Sequence, residues 1–317
     1  MKKILLAICH PDEWNQFICF NSYVSEIKNN YSRVVCVLPY KPYVVMSEVD
    51  EIVTVQDGLF FSYPQILNYS QRNSNEFLNL SVNYVLEKYG QENVEIKSWQ
   101  NTKYDDGKVN EAKGPLDYYQ TSFFYAKKFF ESGKVIKPTK KIFNIIKKKY
   151  QKYFDENTFI ILTRNFESKA TVHNTSNMLP NLKKTLEFLT NNNIKIVNVG
   201  FPPQSYTIKN NYIELNENFT QDELISLFYL SCGVLLQGDA GGFATHYASN
   251  VDFYIITEEW SKKHENINIS LVESKKTNKT FNVYGKTDEQ LCKLLKDNKR
   301  PQQLSFSIPK KIDFVKL

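Results

Sequence analysis

The chain has 317 residues, 42% of them apolar and 14% aromatic, and a formal charge of +6. A chain this long can bury a large core and fits two domains better than one. No apolar run approaches the roughly 20 residues that cross a bilayer, and "ILLAIC" gives way to "HPDEWN" too soon for a signal peptide, so a soluble cytoplasmic protein is expected. The five cysteines (Cys9, Cys19, Cys36, Cys232, Cys292) are odd in number, scattered and without zinc spacing. They read as small buried hydrophobes in a reducing compartment.

In chain order, "KKILLAIC" predicts a short apolar strand. The next segment, "EWNQFICFNSYVSEIKNN", puts Trp14, Phe17, Phe20, Val24 and Ile27 on one helical stripe. "RVVCVLPY" and "EIVTVQDG" predict two more apolar strands, a pattern that implies a parallel sheet covered on both faces. Helices are expected near 75–88 and 117–130, separated by a long polar surface loop containing "NTKYDDGKVNEAKGP".

The segment "KVIKPTKKIFNIIKKK" (134–149) carries seven lysines and no acid. Phe143, Ile146, Tyr150, Tyr153 and Phe154 recur at helical spacing, which predicts an amphipathic helix packing one face and exposing lysines on the other. Such a face is either a plain solvated surface or a dock for an anionic membrane or polyanion. Nucleic acid is the less favoured partner, because zinc-finger and basic-zipper spacings are missing.

Strand and helix alternation restarts at "TFIILTRN", continues through a helix at 182–190 and the strand "IKIVNVG", and reaches "NFTQDELISLFYLS", where Thr220 and Glu223 have capping-box spacing. Then come the strand "CGVLLQ", a glycine turn, the short helix "GFATHYAS" and the strand "VDFYIIT". The expected architecture is therefore α/β: two Rossmann-like parallel-sheet domains facing a central cleft. The domains run 1–135 and 157–317, with a lysine-rich helical linker at 136–156. Ligands of open α/β sheets bind beyond the carboxyl ends of the strands.

The turn "QGDAGGF" sets Gly238, Asp239, Ala240, Gly241 and Gly242 between a strand and a helix. Glycines admit positive φ and close backbone approach, and free N–H groups at a helix start favour an anion, so a phosphate or pyrophosphate is the natural ligand. A tight structural turn uses the same residues. The pattern is neither G-x-G-x-x-G nor a P-loop, which disfavours a dinucleotide site or an ordinary NTPase.

The span "DELISLFYLSCGVLLQGDAGGFATHYAS" resembles the donor-binding segment of GT-B fold glycosyltransferases, most closely the heptosyltransferase-like enzymes of glycosyltransferase family 9 and related bacterial polysaccharide transferases. Those carry a leucine-rich helix, a strand, and a D-S-G-P-x-H-like turn and helix in this order. Two departures stand out: Gly242 replaces the family's proline, and His246 falls two residues late, nearer Ala244. The resemblance implies that "LTRNFESK" offers Arg164 and Lys169 to the donor pyrophosphate, a role suited to an arginine fork and a lysine point charge. It further implies an acidic base after the first strand, in "CHPDEWN", where Asp12 or Glu13 would deprotonate the acceptor hydroxyl. Asp12 also suits a helix cap, and Glu13 the helix macrodipole. Gly200 and Phe201 in "VGFPPQS" would meet the nucleotide base, and Glu258 or Glu259 in "TEEW" a ribose or sugar hydroxyl.

"HPDE" also resembles the start of zinc-dependent sugar deacetylases, but His173, His246 and His264 form no H-x-x-H partner motif. No D-x-D motif is present, so neither a divalent metal nor any other cofactor is expected. The function implied is transfer of a sugar from a nucleotide-activated donor to a glycan or lipid-linked glycan hydroxyl in cell-surface polysaccharide synthesis, metal-independent and inverting. The alternatives are a phage-type transferase acting on DNA and a non-catalytic sugar-nucleotide binding module.

Overall fold

A computed structural model of the chain describes residues 2–8, 17–38, 49–55, 71–98, 102–105, 108–111, 125, 127–162, 182–199, 206–217, 219, 221–237, 249–256, 281–282, 287–298, 304 and 311–315. The chain divides into two compact units, one of residues 1–132 with 307–317, the other of residues 133–306.

The first unit contains β1 (Ile4–Ile8), α1 (Phe17–Ile27), β2 (Arg33–Leu38), β3 (Glu51–Val55), α2 (Gln71–Tyr89), β4 (Val94–Ser98), the short strands β5 (Thr102–Asp105) and β6 (Lys108–Glu111), and the last strand of the chain, β13 (Lys311–Val315). Its main sheet has the order β13-β3-β2-β1-β4, and every pairing in it is parallel. The apolar runs explain this: Leu5 through Ile8 and Val34 through Val37 are buried without a polar face, as strands covered on both sides must be. Val82 and Val85 of α2 close over Leu6, Ile8, Val35, Val37 and Val53. Each such side chain contributes about 1.5–3 kcal/mol on leaving water. Helix α2 stops at Gly90, whose φ of +81° and ψ of 126° suit only a residue without a side chain, and whose N–H bonds back to Leu86 O at 2.9 Å.

At the amino edge of this sheet the Glu51 carboxylate is fully buried. It accepts from Arg33 Nη2 at 2.9 Å, Lys88 Nζ at 2.6 Å and the Tyr89 hydroxyl at 2.5 Å. Burial, and then the bond to Glu51, raise the Tyr89 phenol above its ordinary range. Two cations around one carboxylate compensate its desolvation, which a lone buried charge would not survive.

The second unit contains α3 (Lys140–Tyr150), β7 (Thr158–Leu162), α4 (Lys183–Asn191), β8 (Lys195–Asn198), β9 (Tyr212–Glu214), α5 (Gln221–Phe228), β10 (Gly233–Gln237), β11 (Phe253–Ile256), β12 (Phe281–Asn282) and α6 (Asp288–Asn298). The sheet order is β12-β11-β10-β7-β8-β9, again parallel throughout. Phe159, Ile161, Leu186, Leu189, Ile196, Leu235, Tyr254, Leu291 and Leu295 share its core. Gly233 opens β10 because the space for a side chain is taken: a Cβ would lie 2.9 Å from Tyr254 Cε2, 3.0 Å from Phe159 Cε1 and 3.1 Å from the Asp252 carbonyl. Tyr229 is a buried tie, donating to Ile136 O at 3.1 Å and accepting from Asn250 N–H at 2.8 Å.

The α/β class and the two parallel sheets agree with the sequence reading. Helix α3 begins at the Thr139 cap, whose hydroxyl accepts from Ile142 N–H. It buries Ile146 and Tyr150, with Phe143 half-buried, and packs on α5 within the second unit, so the lysine-rich segment belongs to that unit's body. Cys36, Cys232 and Cys292 are buried thiols outside any disulfide, as expected of small hydrophobes.

Several features differ from the expectations, among them β9, β12 and α6, for which no element is expected from the sequence. Within the stretch read as a long loop, β5 and β6 pair antiparallel, separated only by Asp106 and Gly107, a dipeptide that two-residue hairpins favour. Strand β4 was not anticipated, because its charged residues Glu95 and Lys97 interrupt the apolar pattern. Residues 311–315, assigned by sequence to the second domain, pair with β3 from Lys311↔Glu51 to Val315↔Val55 and extend the first sheet. A free sheet edge takes any strand that can satisfy its backbone groups, however distant in sequence.

Among the described residues, no helix is long and apolar enough to cross a membrane.

Candidate functional site

Strand order locates the place where a parallel sheet binds ligands. In the first unit the chain steps from β1 to β2 to β3 in one direction, then returns to place β4 on the other side of β1. In the second it steps from β7 to β8 to β9, then returns to place β10 on the other side of β7. Each reversal is a topological switch point, where the connections leave neighbouring strands toward opposite faces and open a crevice at the carboxyl edge. The strands end level or nearly so: Ile8 pairs with Ser98, the last residues of β1 and β4, and Leu162, the last of β7, pairs with Leu236, one residue before the end of β10.

The segments that follow these strands are the ones singled out by the sequence. Strand β1 leads into "CHPDEWN" with Asp12 and Glu13. Strand β7 leads into the segment of Arg164 and Lys169. Strand β10 leads directly into Gly238, Asp239, Ala240, Gly241 and Gly242, with His246 beyond. Strands β8 and β11, next to this central pair, lead toward Gly200 and Phe201 and toward Glu258. Thus β11, β10, β7 and β8 form an unbroken run of four neighbours, and all the donor-side candidates follow a strand of that run.

The candidate residues themselves (Asp12, Glu13, Arg164, Lys169, Gly200, Phe201, Gly238, Asp239, Ala240, Gly241, Gly242, His246 and Glu258) lie outside the described residues, as do Glu259, the other histidines and the Thr220 of the expected cap. The described strand ends bring their points of departure together within each sheet. Helix α5, which precedes β10, has Asp222 and Glu223 in its first turn, as its macrodipole favours.

One described residue at the carboxyl edge escaped the sequence reading. Asn198 ends β8 fully buried, its Nδ2 donating to the Tyr212 hydroxyl of β9 at 3.0 Å. Burial is the main cause that raises the Tyr212 phenol, and it remains a neutral partner for the amide. The pair fixes the strand end from which Gly200 and Phe201 depart. Its signal was a single asparagine in "IKIVNVG", an apolar strand where an amide must find a partner.

No protein-family model and no curated protein sequence matches the chain. Among solved structures, the chain is similar to the glycosyl transferase family 9 structure from Veillonella parvula, at 8% identity and TM-score 0.47, over 95% of this chain and 93% of that one. It is also similar to Arabidopsis thaliana UGT89C1 complexed with UDP-L-rhamnose, at 9% identity and TM-score 0.39, over 96% and 91%. A third is UDP-GlcNAc 2-epimerase from Neisseria meningitidis bound to UDP-GlcNAc, at 9% identity and TM-score 0.30, over 93% and 99%.

Proposed function

We propose that the chain is a GT-B glycosyltransferase that moves a sugar from a nucleotide-activated donor to a hydroxyl acceptor, without a metal ion and with inversion at the anomeric carbon. The supporting observation is the agreement between the sequence reading and the strand order. The glycine pattern picks out the 238–242 turn, and the family resemblance implies roles for Asp12, Glu13, Arg164 and Lys169. The strand order puts the departure points of those same segments at the switch points of the two sheets.

In this reading the 238–242 turn offers backbone N–H groups to the donor diphosphate, while Arg164 and Lys169 meet its remaining charge. Asp12 or Glu13 takes the proton of the acceptor hydroxyl as its oxygen forms the bond to the anomeric carbon. The bond from that carbon to the diphosphate breaks on the opposite face, and the nucleoside diphosphate leaves with the electron pair. Rate acceleration comes from positioning and from stabilising the charge that develops on the leaving group. The acceptor is a glycan or lipid-linked glycan of cell-surface polysaccharide synthesis, met in the cytoplasm.

The test is thermal unfolding with UDP, GDP, CDP, CMP and ADP, with and without magnesium, repeated on an Arg164→Ala, Lys169→Ala double variant. A nucleotide at about 100 times its Kd stabilises by about 2.7 kcal/mol. The expected result is a magnesium-independent shift with one nucleotide that the variant loses. No shift with any nucleotide refutes the donor site. Nucleotide binding with biological activity unchanged in Asp12→Asn and Glu13→Gln leaves a binding module in place of an enzyme.

A further inference from the structure

The exposed side of α3 has a composition that the transfer reaction does not use. Lys140, Lys141, Lys147, Lys148 and Lys149 are all exposed, while Ile146 and Tyr150 are buried on the opposite side. Lys149 is held by Glu217 at 2.5 Å, and the Tyr150 hydroxyl donates to the same carboxylate oxygen at 2.6 Å. Among the described residues, Lys140, Lys141, Lys147 and Lys148 meet no carboxylate. Residues 134–149 contain no acid that could offset them. In the midst of these charges stands Ile145, 50% exposed. It lies four residues after Lys141 and three before Lys148, so the three share one helix face.

We propose that this face docks the protein on an anionic lipid surface. The lysines supply the attraction to headgroups, at roughly 1 kcal/mol each near such a surface, and Ile145 enters the headgroup boundary between them. The isoleucine decides between two polyanions. A phosphate backbone meets lysines equally well but offers an aliphatic side chain nothing, whereas a bilayer interface rewards both. The helix is anchored for this role: Thr139 caps it and its buried side is packed on α5, so the lysines are presented in fixed order without the ordering cost of a free peptide.

The experiment is flotation of the full chain with vesicles of phosphatidylcholine alone or with about 30 mol% phosphatidylglycerol, alongside duplex DNA binding at the same salt. No donor or acceptor is present, so the outcome is independent of the proposed transfer activity. Binding to the anionic vesicles only is expected. It should weaken about thirtyfold in Lys141→Gln, Lys148→Gln and about fivefold in Ile145→Asn, with unfolding temperatures unchanged because all three positions are exposed. Absence of binding to anionic vesicles overturns the proposal, as does a lysine double variant that binds like the parent. Retention on duplex DNA with no vesicle binding overturns it in favour of a nucleic-acid face.

Discussion

Replacing Glu51 with glutamine keeps the shape of the side chain and removes its charge, at a position where the carboxylate is 0% exposed. The parent carboxylate takes three donors: Arg33 Nη2 at 2.9 Å and the Tyr89 hydroxyl at 2.5 Å on one oxygen, and Lys88 Nζ at 2.6 Å on the other. A glutamine has one acceptor oxygen, so its NH2 group must face a cation or a hydroxyl that also donates. Breaking a buried ion pair by removing one partner costs about 3–5 kcal/mol. Here the cations keep some access to water, Arg33 at 41% and Lys88 at 25% side-chain exposure, so the lower end applies. We therefore expect Glu51→Gln to lose about 3 kcal/mol, which for a domain of this size lowers the unfolding temperature of the first unit by about 6–12 °C. Tyr89→Phe, which leaves the carboxylate with both cations, should lose about 1 kcal/mol. Lys128→Gln, which opens the exposed Lys128–Glu26 pair at 2.7 Å, should change stability by less than about 0.5 kcal/mol. Urea unfolding followed by circular dichroism reads all three. A Glu51→Gln protein within 0.5 kcal/mol of the parent would refute the buried compensation described for the amino edge of this sheet.

Gly233→Ala places a methyl group against two aromatic rings and a carbonyl that cannot retreat, and is expected to destabilise the second unit by about 1–3 kcal/mol in urea unfolding, while nucleotide affinity measured well below the transition stays unchanged. The Tyr229 phenol is pushed up to about 12, first by burial. A raised folded value means that the unfolded chain ionises more readily, so its contribution is intact below pH 10 and fades as pH climbs from about 10 to about 12. Tyr229→Phe should flatten its part of that alkaline loss, and at pH 7 should cost about 1–3 kcal/mol by leaving Ile136 O and Asn250 N–H without their partner.

Local pattern was enough to identify most of the strands and helices that matter here. Continuous apolar runs at 5–8, 34–37, 158–162 and 233–235 are buried on both faces of their sheets, and lysines opposite Ile146 and Tyr150 mark a half-buried helix. The candidate site rests on a glycine-rich turn and on the family resemblance, and its side chains lie outside the described residues. Several elements were not legible, β9, β12 and α6 among them. Strand β4 carries charges that blur its period, β5 and β6 hide in a polar segment, and β13 finds its partner in a sheet begun some 260 residues earlier in the chain, counted from Glu51 to Lys311. Such pairing is selected by a free edge, which no local window contains.

What the sequence by itself determined, then, is which segments form buried strands and which form amphipathic helices. Only the tertiary structure decided that β1 lies between β2 and β4 and that β7 lies between β8 and β10. Burial is a property of each residue and its neighbours in sequence, whereas strand order depends on which backbone edges meet across the whole chain. That order creates the two switch points at which, or next to which, the candidate segments leave their strands.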